Sequence, residues 1–215
     1  MQKKTDFDPD CRLCPRLAAH LDAIRVEYPD YHARPVAAFG DIHPRLLIVG
    51  LAPGLHGANA TGRPFTGDHA GILLYETLHQ FGFANQPCST SRSDGLKLKG
   101  CRITNAVKCL PPENKPTGSE ITCCNRYLQK EIRQLSPQTV ILVLGRIAHT
   151  AVLKALGLKQ SHFGFKHGAL YSLPQDLYLL DSYHCSRYNT QTGRLNKKMF
   201  QNIFYKIDKI IDITD

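Results

Sequence analysis

Hydrophobic positions along the chain follow two different periods. Four short runs are rich in apolar and β-branched residues and bounded by loop-forming residues: Leu46–Val49, Arg102–Val107, Thr139–Leu144 and Leu177–Leu180, the last extending toward His184. Runs of this length and composition read as strands buried within a sheet. Between them the apolar spacing changes to three and four residues. Gly71–Phe81 carries Ile72, Leu73, Leu74, Leu78 and Phe81, and Glu120–Leu135 carries Ile121, Leu128, Ile132 and Leu135. Lys197–Ile211 carries Phe200, Ile203, Phe204, Ile207, Ile210 and Ile211, while Ile147–Leu156 follows the third strand directly. These segments predict helices with one buried face. Strands alternating with helices predict a single α/β domain over residues 1–215, an α/β/α sandwich with a central, mainly parallel four-stranded sheet. Ala169–Leu173 and Asp176–Leu180 form a candidate local hairpin, and Asn85–Gly100 is the most loop-like insertion.

Composition narrows the class. With 42% hydrophobic and 21% charged residues the chain is globular, and runs such as Val140–Leu144 are far short of the ~20 residues that span a bilayer, so no membrane association is expected. The N-terminal lysines are not followed by an apolar stretch, which makes the reducing cytoplasm the expected compartment; the expected form is a monomer. Lys and Arg outnumber Asp and Glu by 27 to 18, a net charge of +9. Because Lys97, Arg102, Lys108, Arg146, Arg187, Arg194 and Lys198 are scattered, the excess predicts a folded basic surface, for which nucleic acid is the commonest partner.

In an open α/β sheet, ligands bind beyond the carboxyl ends of the strands. The first strand is followed by a loop with five glycines between Gly50 and Gly67 that ends at Asp68. It has neither the Lys-Ser/Thr ending of a phosphate-binding loop nor the Gly-x-Gly-x-x-Gly pattern, so nucleoside triphosphate and dinucleotide chemistry are not supported. The second strand ends at Asn105, and the fourth leads into Tyr183-His184. Singly, Asp68 reads as a helix N-cap, His184 as a hydrogen-bonded structural histidine and Asn105 as a loop tie. Together at one sheet edge, a carboxylate, an amide and an imidazole make a candidate catalytic site. Phe65 is either a core plug or a stacking platform for a flat ligand.

Eight cysteines in a reducing compartment need an explanation other than disulfides. Cys11 and Cys14 form a C-x-x-C pair, and Cys109 and Cys124 lie fifteen positions apart on either side of a Pro-Pro turn. Four thiolates from two distant segments suit either a tetrahedral zinc or a [4Fe–4S] cluster, with Cys123 a rival fourth ligand. The residues 1–35 would then be an N-terminal segment contributing two of the four.

These motifs, in this order, resemble the uracil-DNA glycosylases, and in particular their iron–sulfur branch known as family 5 or type B. The resemblance is carried by Cys11-x-x-Cys14, Gly50-Leu-Ala-Pro-Gly-x-His-Gly57, Thr61-Gly-Arg-Pro-Phe-Thr-Gly-Asp68, Ile103-Thr-Asn-Ala-Val-Lys-Cys109, Pro111-Pro-Glu-Asn-Lys-Pro116 and His184-x-Ser-Arg-x-Asn189 with Thr192-Gly-Arg-Leu195. The sister family 4 has a glutamate at the position of Leu51 or Ala52. The resemblance implies a structural [4Fe–4S] cluster on Cys11, Cys14, Cys109 and Cys124. It implies catalytic roles for Asp68 and His184, and base binding by Gly50, Ala52, Phe65, Asn105 and Asn189. Arg63, Arg187 and Arg194 would contact DNA. The implied substrate is single- or double-stranded DNA containing uracil or another deaminated base, whose N-glycosidic bond is hydrolysed. Because Leu51-Ala52-Pro53 offers no side-chain carboxylate or amide, a roomier pocket that also accepts hypoxanthine or xanthine is expected. Where the family pattern has His-Pro-Ser this chain has His184-Cys185-Ser186, which predicts a looser backbone around His184. Two other readings compete: a non-enzymatic, metal-stapled DNA-binding module that senses redox state, and a hydrolase of free nucleotides.

Overall fold

The computed structural model describes residues 7–212. The N-terminal lysines lie outside the described residues. Six strands form one sheet: β1 (Phe39–Gly40), β2 (Leu46–Gly50), β3 (Cys101–Asn105), β4 (Val140–Leu144), β5 (Leu170–Leu173) and β6 (Leu177–Ser182), in the order β1-β3-β2-β4-β6-β5. The four central strands are mutually parallel, and they are the four that the apolar runs predict. The sheet is larger than expected because β1 and β5 add antiparallel edges. β1 has two residues, too few for any period to show. β5 is the outer half of the candidate hairpin, pairing Leu170 with Leu180 and Leu173 with Leu177.

Every residue of β2 and β4 is buried, and alternate side chains feed two cores. Leu46, Ile48, Leu142 and Leu144 pack with Leu74 and Leu78 of α3 (His69–Gln80) and with Phe200, Ile203 and Phe204 of α7 (Lys197–Asp212). Leu47, Val49, Ile141 and Val143 face Leu128 and Ile132 of α4 (Gly118–Arg133) and Ala148, Ala151 and Val152 of α5 (Arg146–Ala155). Helices on both faces are what a parallel sheet requires. Two short helices, α2 (Ala58–Thr61) and α6 (Arg187–Gln191), lie in the loops after β2 and β6. Among the described residues no helix is long and apolar enough to cross a membrane.

The apolar pattern does not announce α1 (Pro15–Glu27). Its buried face is Leu17, Ala18, Leu21 and Ile24, but Val26 on the same helix is 83% exposed and Leu13 just before it 52%, which blurs the stripe. α1 packs on the start of α4 through a third cluster with Val107, Leu110 and Tyr127. Arg16 grips Glu120 through two hydrogen bonds of 2.8 and 2.7 Å, while Glu120 also closes a capping box with Thr117.

Arg63 is a correction to the sequence reading, which places it on the DNA-binding surface. It is 4% exposed, and its guanidinium meets Asp94 at 2.5 Å, Ser89 at 2.6 Å and Thr66 at 2.9 Å, lying 4.9 Å over the Phe39 ring. Asp94 also accepts from the backbone of Thr90, Ser91 and Leu96. Burial opposes the charge on Asp94, yet Arg63 and these N–H groups hold its carboxyl well below the usual range. The pair thus pins the 85–100 insertion onto the glycine-rich loop. Removing one member of a buried pair strands the other. Arg63→Ala is expected to lower unfolding stability by about 3–5 kcal/mol in urea denaturation, with part of the loss recovered in Arg63→Ala/Asp94→Ala; an unchanged midpoint with weakened DNA binding would return Arg63 to the DNA surface.

Candidate active site

The parallel register sets the site. β2 is the switch point of the sheet, with β3 on one side and β4 on the other, and Gly50 at its end lies directly opposite Asn105 at the end of β3. A Cβ at Gly50 would collide with Asn105 Oδ1 and stand 2.7 Å from Phe65 Cζ. Glycine there lets both side chains close over the strand end. The role of Gly50 is therefore to make room, and Ala52 and Leu51 line the cleft beyond it. Asn105 is 3% exposed and its Oδ1 has no hydrogen-bond partner, a polar atom buried at the floor of the cleft.

Phe65 adopts a left-handed backbone with φ of 56°, unfavourable for a bulky residue. A Cβ at Gly71 would strike the Phe65 carbonyl, so α3 can approach this bend only through a glycine. The Phe65 ring is then held 6.0 Å from the His184 ring at an interplanar angle of 30°.

Asp68 stands at the N-cap position of α3 without capping it: its side chain makes no bond to the helix. It turns instead toward the glycine-rich loop, accepting one hydrogen bond, of 3.2 Å, from the Ala58 backbone. A Cβ at Gly57 would fall inside the carboxylate, and one at Gly54 would lie 2.7 Å from Oδ1. The carboxylate therefore rests on bare backbone. Burial raises its pKa above the usual carboxylate value, opposed only by the Ala58 N–H. A helix cap worth about 1 kcal/mol is forgone to place a basic oxygen in the cleft.

His184 follows β6. Burial lowers its pKa to about 4, so the ring is neutral. The expected looseness from Cys185 is not found. Cys185 is fully buried in the core, Ser186 caps α6 by accepting from Asn189 N, and Asn189 Nδ2 donates to the His184 carbonyl at 2.8 Å. Asn189, read from sequence as a base contact, is thus tied to the His184 backbone and does not line the cleft.

The cleft, open to solvent, has a volume of about 640 Å³, and Ala52, Phe65, Asp68, Asn105, His184 and Arg187 all line it. Arg187 is exposed at the rim, and Arg194, also exposed, lies with its guanidinium 4.7 Å over the Tyr183 ring. Sequence reasoning missed four lining residues with polar side chains: His56, His69, Asn114 and Ser186. His56 is oriented by Tyr31 at 2.9 Å and His69 by Thr190 at 3.1 Å. Asn114 projects from a bend where Glu113 and Asn114 both have positive φ; the Pro111-Pro112-Glu113-Asn114 stretch carried that turn signal.

A second concave region lies between α1 and α4. Cys11, Cys14, Cys109, Cys123 and Cys124 line one small apolar cavity with Leu17 and Tyr127, whose free volume is about 10 Å³. The Lys108 backbone donates to Cys124 Sγ at 3.2 Å. Burial pushes the thiols of Cys14 and Cys109 up to about 12. Among the described residues no three His, Cys, Asp or Glu side chains are grouped as a site for one metal ion, while five cysteines line the same small cavity. Cys88 is exposed and Cys101 and Cys185 are core residues.

Residues 37–208 match the model of the uracil DNA glycosylase superfamily. The chain is 47% identical to a type-5 uracil-DNA glycosylase of Thermus thermophilus over 207 residues, covering 93% of each chain. It is 41% identical to the type-5 enzyme of Pyrobaculum aerophilum, over 86% of this chain and 82% of the relative. A type-4 uracil-DNA glycosylase of the same organism is more distant, 32% identical over 80% of this chain and 74% of the relative. With its apolar Leu51-Ala52 in the cleft and this degree of identity along nearly its whole length, the chain belongs to the type-5 uracil-DNA glycosylases.

Proposed function

We propose that the protein is a monofunctional DNA glycosylase of base-excision repair. It hydrolyses the N-glycosidic bond of uracil, and of hypoxanthine or xanthine, in single- or double-stranded DNA. The observation that carries this reading is the convergence of a desolvated carboxylate and a neutral imidazole on one cleft beside an unpartnered amide oxygen. Breaking the bond leaves positive charge on the sugar and negative charge on the base, so a carboxylate near C1′ and a donor near the base oxygen are both needed. Asp68 has one N–H bond and open valences toward the cleft. There it stabilises the sugar cation and takes a proton from the attacking water, a task favoured by its raised pKa. His184, neutral, donates a hydrogen bond to uracil O2 without needing a second charge in the pocket. Phe65 stacks on the base, and Asn105 reads its Watson–Crick edge, which would satisfy the orphan oxygen. Leu51 and Ala52 contribute shape only, which suits a pocket tolerant of several deaminated bases.

Flipping a nucleotide by ~180° costs a few kcal/mol, and phosphate contacts offset it. Arg187 at the rim and Arg194 beyond it are the proposed contacts, within a chain of net charge +9. We place the enzyme in the cytoplasm as a single-domain monomer. A DNA-binding module without catalysis would leave the seating of Asp68 without a purpose. A hydrolase of free nucleotides would not need the basic surface.

The cysteine-lined cavity fits a [4Fe–4S] cluster. Its metal-binding donors are cysteine thiols, five of them in one apolar site and drawn from two distant segments of the chain, as a thiolate-held cluster requires. Cys11, Cys14, Cys109 and Cys124 would hold it, fastening α1 to α4 and to the loop after β3. Bound there, the cluster supplies a structural cross-link.

Uracil-containing oligonucleotides should yield alkali-labile sites with the wild-type protein, and Asp68→Asn should slow base release by about 10²-fold or more. Release should fall on the acid side as Asp68 is protonated, the limb lying above the ordinary carboxylate range because burial raises its pKa. Affinity should drop steeply with salt. No abasic product from U, hypoxanthine or xanthine substrates would overturn the reading. For the cluster, the purified protein should be brown with absorbance near ~400 nm, bleached in Cys11→Ala; a colourless protein that releases zinc would contradict it.

A further inference from the structure

The carboxyl end of β6 holds more polar groups than this chemistry uses. Asp181 is fully buried; its Oδ1 accepts from His149 Nδ1 at 2.7 Å and its Oδ2 from the Lys166 backbone at 3.1 Å. His149 donates through its other nitrogen to the Phe163 carbonyl at 2.9 Å. The main chain adds Gly168 N to Asp181 O at 2.8 Å and Asp181 N to Ala169 O at 2.9 Å. Residues 163–169, which form no helix or strand, are thereby bound to Asp181 of β6 at three points and, through Phe163, to His149 of α5 at a fourth.

This stretch delivers His167 to the segment that precedes the cleft. His167 Nδ1 accepts the Tyr183 backbone N–H at 3.2 Å, and the two rings stack with centroids 4.9 Å apart at 16°. Burial lowers the pKa of this imidazole. With Nδ1 accepting, the ring is neutral and its proton sits on Nε2. Tyr183 is the residue before His184, beyond the last ladder pair of β6. The peptide after His184 is held by Asn189. The peptide before Tyr183 is held by His167.

We propose that His167 is a positioning residue for His184: its Nδ1 lone pair fixes the Ser182–Tyr183 peptide, one residue before the one whose ring enters the cleft. Asp181 and His149 act by holding His167 in place. The proposal rests on the reading of His184 as the donor to the base.

Three variants separate positioning from packing. Asparagine sets Oδ1 where Nδ1 stood, glutamine sets its acceptor one methylene farther out, and alanine has none. In the full-length protein, single-turnover uracil release, DNA affinity and the His184 ring proton–nitrogen shifts in the absence of DNA are measured. His167→Ala and His167→Gln should slow release by about 10- to 100-fold with unchanged affinity and displaced His184 shifts, whereas His167→Asn should stay within about threefold of wild type. Release at the wild-type rate in all three, or asparagine as slow as alanine, would overturn the proposal. If alanine does not fold, the asparagine–glutamine pair decides. A wild-type protein that releases no base refutes the glycosylase reading by itself, and the His184 shifts then decide the positioning role alone.

Discussion

The site depends on one contact, the Asp68 carboxylate lying against the backbone of Gly54 and Gly57. A carboxylate moved out of water is costly unless paired or hydrogen-bonded. Here it has one N–H donor, from Ala58, and no cationic partner among its contacts. The cost is held down by leaving the group open to the cleft, and the gain is an oxygen more basic than an exposed carboxylate. Glycine is the one residue that permits the approach, since any Cβ at Gly57 would occupy the volume of the carboxylate. The pinned insertion, the left-handed Phe65 and the uncapped start of α3 are all ways of holding the glycine-rich loop in the shape this contact demands.

The opposite wall is built by a different principle. Asn105 owes its place to strand register, opposite Gly50, and needs no loop to aim it. His184 lies beyond the end of its strand and is fixed by hydrogen bonds to the backbone on either side of it, from Asn189 and to His167. His184 is thus set by two side chains that do not line the cleft, Asn189 and His167. The Asn105 amide carries no charge and burial keeps His184 neutral, which suits a reaction in which charge develops on the substrate.

Legibility in the sequence depends on how local each signal is. β2 and β4 are buried on both faces, so their apolar runs are unmistakable, and α7 displays its stripe along its whole length. α1 is hidden because Val26 and Leu13 point outward, and β1 because two residues carry no period. Phe65 and Asp68 in the loop after β2, Asn105 at the end of β3 and His184 just past β6 are legible because the topology brings those strand ends to one edge. His56 and His69 are not, because their orientation comes from Tyr31 and Thr190, which are distant in sequence. Arg63 misleads because a positive charge reads as surface until its partner is known, and Asp94 is 31 residues away. Asn189 misleads similarly: its motif position suggests substrate, while its amide is spent on the His184 carbonyl.

Whether the Asp68 carboxylate depends on bare backbone is read from the single-turnover rate of base release by Gly57→Ala, measured beside Gly118→Ala, whose added Cβ meets nothing within 4 Å. If the carboxylate works because it rests on bare backbone, Gly57→Ala loses about 10²-fold in rate while remaining folded and binding DNA, and Gly118→Ala does not. A Gly57→Ala protein that releases uracil as fast as wild type would contradict the account.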